Sequence, residues 1–296
     1  MWDRKSFDIM SKATSILRYP GGKSKALKKI LPLIPRDIKE YREPFVGGGS
    51  VFIEVMQQLK EEDVFFKMND INSDLYLFWR CVQQDGERFL NKVYSMKNQF
   101  GSGRELYKYY KENYRDLGNF EKAVRFFIMN RITFSGLIDS GGYSQESYDK
   151  RFTETVIDKV IPLSQLLQDV TITNKDYQHL LLEGGSDVFL FLDPPYLSAR
   201  KSQLYGKNGD LHKQFEHERF AEDVQKCHHK WLITCDDTPE MRELFDFAEI
   251  IPWRLYYGMT NVNRPNAVNG KEIFILNYDY DRGDSITESI LTSRSD

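Results

Sequence analysis

A strand that ends in two prolines constrains the fold of this chain more than any other feature. Residues 188–192 form an uninterrupted apolar run, and Asp193, Pro194, Pro195 and Tyr196 follow it directly. A short apolar run of this kind is typical of a strand buried on both faces of a parallel sheet. Because proline cannot continue a central strand, the chain must turn at Pro194. The turn therefore lies at the carboxyl end of a strand, where open α/β sheets bind their ligands.

The residues of this turn suit one kind of ligand. Asp193 supplies a carboxylate, a proline carbonyl supplies a second acceptor, and Tyr196 supplies a flat ring for stacking. Together they suit a planar base that carries an exocyclic amine. The alternative is a purely structural turn in which Asp193 is a cap and the Tyr196 ring is packed, because short motifs also occur by chance.

A run of three glycines marks a second site of interest. The run joins a predicted strand, residues 41–46, to a helix for which Ser50 is a good N-cap. Gly47 and Gly49 allow the backbone to approach a ligand closely. Asp70 ends the next predicted strand, about 20 residues further on, where an acid can hold ribose hydroxyls. The alternative is a structural turn with Asp70 as a helix cap, and the glycines lack the spacing that binds a dinucleotide.

A basic segment near the start of the chain contains a third turn. Residues 20–22 are Pro-Gly-Gly, which predicts a tight turn with a helix following from Ser24. Lys23 stands at this turn, where it can meet a carboxylate or a phosphate. The later lysines of the segment are typical of a solvated helix face.

Taken together, the ordered motifs resemble one family. They match the Dam-like (D12 class, α-group) DNA adenine-N6 methyltransferases over roughly residues 15–280. The resemblance implies S-adenosylmethionine as methyl donor, double-stranded DNA as substrate and a flipped adenine as acceptor. The segments that carry it are residues 17–23, 43–49, 69–75, 130–137 and 193–196.

The alternation of predicted strands and helices agrees with the fold of that family. We expect an α/β, Rossmann-like methyltransferase fold, with a mixed, mostly parallel sheet, an antiparallel hairpin at its edge and an inserted, mainly helical target-recognition domain. The predicted catalytic domain comprises residues 1–84 and 166–296, and residues 85–165 form the insertion, where the pattern becomes helical. Strands are predicted at 41–46, 64–69, 170–174, 188–192, 231–235, 249–257 and 271–278.

The resemblance also assigns roles to single residues. It implies that Asp193, Pro194, Pro195 and Tyr196 act on the target amine. Lys23 would pair with the carboxylate of the donor and Asp70 with its ribose hydroxyls. Asp176 would accept from the adenine amine of the donor, although an Asp after a strand is commonly a cap. The full predicted donor site is Tyr19, Lys23, Phe45, Gly47, Gly49, Asp70, Asp176 and Asp193.

Contacts to DNA are predicted in three places. Arg125 is either a base contact or part of a solvated helix face, and Phe134 and Tyr143 either wedge into the duplex or pack, with packing the default. Asp139 stands where the family often has a basic residue, so no recognition sequence is assigned. The predicted DNA-binding residues are Arg18, Arg125, Arg131, Phe134, Ser135, Asp139, Tyr143, Lys201 and Lys207.

Composition sets the remaining expectations. The net charge of −3 argues against indiscriminate binding of nucleic acid, although a local basic cleft is compatible with it. Three cysteines without metal-type spacing indicate a reduced compartment. No metal site is predicted, and the five histidines are expected at the surface. Because no apolar run is long enough to span a membrane, we expect a cytoplasmic monomer of a prokaryotic or phage-infected cell, with a cognate restriction endonuclease as a possible partner.

Two other functions remain open from the sequence. A cytosine-N4 or RNA amino-methyltransferase would use similar chemistry, although Asp rather than Ser before Pro-Pro-Tyr favours adenine N6. A DNA-binding module without catalysis is the other alternative. The presence of Lys23, Asp70, Asp193 and Tyr196 argues against it.

Overall fold

One mixed sheet organises the part of the chain that the structure describes. This computed structural model describes residues 12–19, 21–138, 140–197, 215–255 and 270–280. Within them, seven strands lie in the order β3-β2-β1-β4-β5-β7-β6. The strands are β1 (Glu40–Glu43), β2 (Phe65–Asn69), β3 (Thr171–Thr173), β4 (Val188–Leu192), β5 (Lys230–Asp236), β6 (Glu249–Leu255) and β7 (Gly270–Leu276).

The directions of the strands confirm the predicted fold. The strands β1 to β5 pair in parallel, whereas β7 runs antiparallel to both β5 and β6. The sheet is therefore the Rossmann-like methyltransferase arrangement expected from the sequence, with an antiparallel pair at one edge. β1 ends at Glu43 rather than at residue 46, because Pro44 has no N–H to donate to the ladder.

The position of β1 explains where a ligand can bind. Its neighbours are β2 on one side and β4 on the other, so the order of the strands reverses between β1 and β4. The loops that follow these two strands diverge at such a reversal and leave a crevice between them. The glycine loop follows β1, and the Asp-Pro-Pro-Tyr turn follows β4. The two motifs singled out in the sequence thus meet at one edge of the sheet.

Helices cover the sheet and form the insertion. The helix predicted from Ser24 begins as a single 3-10 turn, Lys23–Lys25, before α1. The helices in the described ranges are α1 (Leu27–Ile30), α2 (Ser50–Gln58), α3 (Ser73–Gln99), α4 (Gly103–Glu112), α5 (Asn119–Ile132), α6 (Gln145–Arg151), α7 (Glu154–Asp158), α8 (Val160–Leu166), α9 (Gln178–Leu181), α10 (His217–Gln225) and α11 (Pro239–Leu244).

The predicted start of the insertion falls inside a helix. α3 continues through residue 85, but Asp85 has non-helical backbone angles (φ −135°, ψ 41°), so the helix is kinked there. α3 packs against α5 and α8 of the insertion. The ring of Phe78, which lies in α3 before the kink, stacks on the ring of Phe127 in α5 with centroids 6.1 Å apart. Because Phe78 precedes the kink and Phe127 belongs to the insertion, one core continues across the predicted domain boundary. That boundary remains a prediction.

A buried arginine fixes the chain just before β4. Arg42, on β1, is fully buried and donates to the carbonyls of Leu180, Glu183 and Gly184 at 2.6–2.9 Å. One guanidinium thereby satisfies one carbonyl within α9 and two that follow it. The arrangement sets the entry into β4 and hence the position of the turn that follows it.

The described residues also give findings on the cysteines, on groups of metal-ligating side chains and on membrane-spanning helices. Cys81, Cys227 and Cys235 are free thiols. Within the described ranges, no three His, Cys, Asp or Glu side chains are grouped so that they could hold a metal ion. None of the helices in those ranges combines the length and apolar character needed to cross a lipid bilayer.

Candidate active site at the ends of β1 and β4

The carboxylate of Asp193 lies in the crevice and is held by a lysine. The Lys23 ammonium donates to Oδ1 and Oδ2 of Asp193 at 2.7 and 2.8 Å, and to the Gly21 carbonyl at 3.1 Å. The three N–H donors of an ammonium match these three bonds. Lys23 is only 5% exposed, whereas the Asp193 side chain is 21% exposed. This arrangement differs from the predicted pairing of Lys23 with the donor, because all of its donors already have partners.

A second side chain orients the same carboxylate. The Thr234 hydroxyl, on β5, donates to Oδ1 of Asp193 at 2.8 Å. Thr234 is fully buried, so its hydroxyl has no competing water. With Lys23 and Thr234 on its oxygens, Asp193 has a fixed orientation before any ligand arrives. Such preorganised acceptors are what stabilises charge that develops during a reaction.

A buried glutamate lies behind Asp193. Glu43 ends β1 and accepts a hydrogen bond from the Tyr41 hydroxyl at 2.6 Å. Burial raises the pKa of Glu43 well above its usual range, and the nearby charge of Asp193 raises this pKa further. Both effects favour the protonated form of Glu43 and so oppose a second full charge beside Asp193.

The rest of the turn is fixed by three more hydrogen bonds. The Tyr196 hydroxyl donates to Oε2 of Glu272 at 2.9 Å, and the Leu197 N–H donates to Asp236 at 3.2 Å. Nε2 of His217 lies 2.8 Å from the Pro195 carbonyl, which can only accept. His217 is 2% exposed, so the expectation that all histidines lie at the surface was wrong. His217 lies 22 residues after Pro195, and no local signal in the sequence indicated this contact.

The glycine loop approaches the first described segment of the chain closely. Gly47 and Gly49 have positive φ angles of 48° and 68°, which L-residues with a side chain rarely adopt. A Cβ atom at Gly47 would lie 2.9 Å from the Tyr19 ring, and one at Gly49 would lie 2.9 Å from the Trp79 ring. The glycines are therefore required by the packing of Tyr19 and Trp79 as well as by the backbone.

Asp70 lies against the same loop. Its Oδ2 accepts from the Gly47 N–H at 3.0 Å and its Oδ1 from the Asn72 N–H at 2.9 Å. Burial raises the pKa of Asp70 to about 6, although both backbone hydrogen bonds lower this pKa. A carboxylate has about four acceptor positions, and these two bonds use half of them. The remaining positions fit a ligand that brings hydroxyl donors, as a ribose does.

Aromatic rings and Asp176 form the wall beyond Asp70. Phe45 stacks on Tyr177, with centroids 5.4 Å apart, and both rings contact Phe220 at their edges. Asp176 accepts from the Gln178 N–H at 3.0 Å, which is the capping role considered from the sequence. Its other oxygen lies 3.5 Å from Arg219. Tyr177 was missed in the sequence, although an aromatic residue beside an Asp after a strand could have indicated it.

Arg18 is partly buried and is bound to the insertion. Asn130, on α5, accepts from the Arg18 N–H at 2.8 Å and donates to the Arg18 carbonyl at 2.9 Å. The Arg18 guanidinium donates to the Thr133 carbonyl and to the Ser147 hydroxyl, both at 3.1 Å. The segment that leads into Tyr19 and Lys23 is thus fastened to the insertion by a reciprocal pair of bonds.

The positions of Arg125 and Arg131 do not fit contacts to bases. Arg125 is 3% exposed, lies 3.6 Å from Asp74 and stacks over the Tyr114 ring. Arg131 is 7% exposed and donates to the carbonyls of Ile16 and Arg151. Burial lowers the pKa of Arg131 to about 10. A base contact needs a guanidinium at the surface, so both arginines have to be reassigned as structural residues of the insertion.

The loop between α5 and α6 presents the predicted aromatic residue to solvent. An antiparallel bridge between Thr133 and Tyr143 closes the loop at its base. Phe134 is 66% exposed, so the default expectation that it packs was wrong. Ser135 has a φ angle of 54° and is exposed beside it. Tyr143 does pack in part, because Arg104 lies over its ring at 5.1 Å.

Three predicted DNA contacts lie outside the described residues. They are Asp139, Lys201 and Lys207.

Comparisons with known proteins identify the family. A sequence model of D12 class N6 adenine-specific DNA methyltransferases matches residues 19–259. The chain is 28% identical over 207 residues to Type II methyltransferase M.MjaIII of Methanocaldococcus jannaschii, covering 64% of this chain and 71% of that protein. It is 26% identical over 276 residues to Type II methyltransferase M.CviBI of Paramecium bursaria Chlorella virus NC1A, covering 89% and 99%. It is 23% identical over 256 residues to the DNA adenine methylase of Escherichia coli, covering 81% and 87%.

The family match spans most of the chain and includes every motif in the crevice. The order and direction of the strands agree with it. This chain therefore belongs to the D12 class N6 adenine-specific DNA methyltransferases, and it transfers a methyl group to adenine in DNA.

Proposed function

We propose that the crevice between β1 and β4 methylates N6 of an adenine that has been flipped out of double-stranded DNA. The family implies S-adenosylmethionine as the methyl donor, with S-adenosylhomocysteine as its product. The observation that carries the proposal is the Asp193 carboxylate, which Lys23 and Thr234 hold at the end of β4. A target base inside a duplex could not reach this carboxylate without leaving the stack.

The residues after β1 and β2 would hold the donor, which supplies an electrophilic methyl group. Asp70 has acceptor positions for two ribose hydroxyls beside the Gly47 N–H. The Tyr19 ring packs against the glycines, Phe45 precedes them in the chain, and Gly49 permits the turn. Asp176 would accept from the adenine amine of the donor with the oxygen that faces Arg219. We propose that no metal ion takes part, because Lys23 already supplies the positive charge beside Asp193.

The residues after β4 would act on the target amine. The Asp193 carboxylate and the Pro194 carbonyl accept hydrogen bonds from the two N6 hydrogens, which favours a pyramidal nitrogen with its lone pair exposed. Positive charge that grows on N6 during transfer is stabilised by these fixed acceptors. Pro195 keeps the turn rigid through its bond with His217. Tyr196 stacks on the flipped base, and stacking of this kind contributes about 1–3 kcal/mol per base.

Lys23 takes a different role from the one suggested by the resemblance. Its ammonium neutralises Asp193 in the absence of ligands and lies 4.7 Å from the centroid of the Tyr196 ring. It therefore fixes both groups that contact the target adenine. We propose that Lys23 orients Asp193 and Tyr196 instead of binding the carboxylate of the donor.

Recognition of DNA is proposed for the exposed part of the insertion. Phe134 is exposed at the end of a closed loop, and such an apolar ring can enter the space between base pairs. Ser135 lies beside it, and Tyr143 supports the loop from below. Arg18 would reach DNA only if it released Thr133 and Ser147. Asp139, Lys201 and Lys207 remain proposed contacts on the basis of sequence alone.

The biological setting follows from the substrate. Two of the relatives are Type II methyltransferases by name, so we propose that a restriction endonuclease of the same specificity accompanies this enzyme. Genomic and phage DNA are both accessible in the cytoplasm of a prokaryotic cell, which we propose as the site of action. A single chain contains both the donor loop and the target turn, which supports a monomer.

One experiment tests the whole proposal. The purified chain is incubated with labelled donor in three parallel reactions. The first contains unmethylated genomic DNA, the second contains the same DNA as single strands, and the third contains RNA. Nucleoside analysis then identifies the product, and sequencing that detects modified bases maps the sites. N6-methyladenine at one short sequence in the duplex is the expected result. N4-methylcytosine, or label in RNA alone, would refute it.

A further inference from the structure

We propose that Glu272, on β7, is a positioning residue of the methyltransferase site that acts through the hydroxyl group of Tyr196. The inference rests on the proposed function, in which the Tyr196 ring stacks on the flipped adenine. The hydroxyl donates to Oε2 of Glu272 at 2.9 Å. Glu272 is 2% exposed, so this carboxylate is buried deeply beneath the turn. A charged acceptor strengthens such a hydrogen bond.

The sheet places two carboxylates side by side under the turn. Glu272 is the cross-strand partner of Asp236 on β5, so both side chains leave the same face of the sheet. Like charges directly opposite each other in this way are unfavourable. Each of the two accepts a hydrogen bond from the turn, Glu272 from Tyr196 and Asp236 from the Leu197 N–H. Two neighbouring buried carboxylates that both accept from the target turn indicate a role in holding that turn.

The hydrogen bond fixes where the ring lies. The hydroxyl oxygen lies on the axis about which the Tyr196 ring rotates, so a bond to it fixes the position of the ring. The Lys23 ammonium covers one face, 4.7 Å from the centroid. A flipped base must then stack on the opposite face while Lys23 stays paired with Asp193. Glu272 and Lys23 together define one stacking surface.

The same bond also affects the electrostatics of the ring. A phenol that donates to a carboxylate has a more electron-rich ring, which attracts a cation over its face more strongly. Burial and the charges of Asp193 and Glu272 raise the pKa of Tyr196 well above its usual range, so the hydroxyl remains a donor. Positive charge grows on the target amine during methyl transfer. Glu272 therefore favours the transition state through the Tyr196 ring, without contacting the substrate itself.

A double-mutant cycle separates this role from a structural one. Glu272→Gln retains the shape and an acceptor but removes the charge, and Tyr196→Phe removes the donor. We expect each single variant to lower kcat about tenfold, the size expected for one hydrogen bond to a charged group. The double variant should be no slower than the slower single variant, because both changes act on the same charge-assisted bond. Donor affinity, measured by calorimetry, should be the same in all four proteins.

Base flipping gives a second readout. A duplex with the mapped recognition sequence carries aminopurine at the target position, and its fluorescence rises when the base leaves the stack. Glu272→Gln should reduce this rise in the Tyr196 background and have no further effect in Tyr196→Phe. Glu243→Gln, which removes an exposed charge from α11, is the matched control and should behave like the unmodified enzyme.

The outcomes distinguish this inference from the proposed function. If Glu272→Gln has normal kcat and normal fluorescence, or lowers kcat equally with and without the Tyr196 hydroxyl, the inference is overturned. If the unmodified enzyme methylates adenine but gives no fluorescence rise, and Tyr196→Ala has normal kcat, the stacking role of Tyr196 itself is wrong. The inference is supported if the kcat values of the double-mutant cycle are as expected and Glu272→Gln unfolds at the same temperature as the unmodified enzyme.

Discussion

Replacing Lys23 by methionine tests the revised role of this lysine directly. Methionine retains a flexible apolar stem of similar length but has no ammonium. The structure gives Lys23 two hydrogen bonds to Asp193 and a position over the Tyr196 ring. We therefore expect Lys23→Met to impair methyl transfer while the donor binds almost normally.

The expected magnitude follows from the hydrogen bonds that methionine cannot make. A hydrogen bond to a charged group contributes about 1.5–3 kcal/mol. Asp193 keeps the Thr234 hydroxyl, and its side chain is 21% exposed, so water replaces part of the ammonium. We take a net loss of about 2 kcal/mol for the pair, which corresponds to roughly a 30-fold lower kcat.

The assay separates donor binding from catalysis. Calorimetry with the donor gives its Kd, and single-turnover methylation at saturating donor gives the rate of transfer. Lys25→Met removes an exposed ammonium from the same short 3-10 helix and serves as the control. A much weaker donor Kd with a normal rate at saturating donor would show that Lys23 binds the carboxylate of the donor, and our reassignment would be refuted.

Three further predictions follow from the site. Asp70→Asn should weaken donor binding by about 1.5–3 kcal/mol for each hydrogen bond to a ribose hydroxyl. Because the pKa of Asp70 is about 6, the donor affinity of the unmodified enzyme should rise with pH through 6 and level off above it. Calorimetry that shows the same pH profile for the variant and the unmodified enzyme would contradict this. Arg131→Met leaves the buried Ile16 carbonyl and the partly buried Arg151 carbonyl without this donor. It should lower the free energy of unfolding by about 1–3 kcal/mol for the buried carbonyl, as measured by denaturant unfolding, without changing the mapped recognition sequence; a changed sequence would restore Arg131 as a base contact. Phe134→Ala should leave the unfolding temperature unchanged but weaken duplex binding by about 1–3 kcal/mol in a fluorescence titration, whereas a large loss of stability would mean that the ring packs.

The pH dependence of Asp70 has opposite signs for stability and for binding. Its pKa in the folded protein is raised above the ordinary value of about 4. The folded state therefore holds the proton more tightly than the unfolded state, and stability falls as pH rises from about 4 to 6. Donor binding favours the ionised carboxylate and rises over the same range. Unfolding at several pH values, with and without donor, distinguishes the two effects.

The sequence predicted the sheet well because local signals determine its strands. Apolar runs, prolines and glycines mark residues 188–196 and the loop after β1 without reference to distant contacts. Pairings between remote residues are different. Lys23 and Asp193 are 170 positions apart, and only the folded sheet brings the two turns together. The resemblance placed both residues in the site, but it did not show that they contact each other.

Residue type alone gave wrong predictions of which side chains are exposed, because tertiary packing decides the exposure of Arg125, Arg131 and Phe134. Arginine is usually exposed, so Arg125 and Arg131 were expected to be available for DNA. Both arginines instead donate to backbone carbonyls, and Arg125 also lies beside the Asp74 carboxylate. Phe134 was expected to pack, yet it is exposed on a loop that glycine shapes: Gly136 has a φ angle of 74°, and a Cβ there would lie 2.4 Å from the Arg18 carbonyl.

The contact between Gly136 and Arg18 suggests how the two substrates are coordinated. The Asn130 amide joins the Arg18 backbone to the Gly136 carbonyl, so one buried side chain connects the loop proposed to bind DNA with the segment proposed to bind the donor. Tyr19 and Lys23 follow Arg18 closely and contact the glycine loop and Asp193. A duplex that moves Phe134 would therefore act on Arg18 through the Asn130 amide, and on Tyr19 and Lys23 through the chain that follows Arg18. Coupling of this kind should be reciprocal, so that DNA tightens donor binding by the same factor by which the donor tightens DNA binding. Asn130→Ala should reduce both factors together, and calorimetry that finds them unchanged would remove Asn130 from the connection.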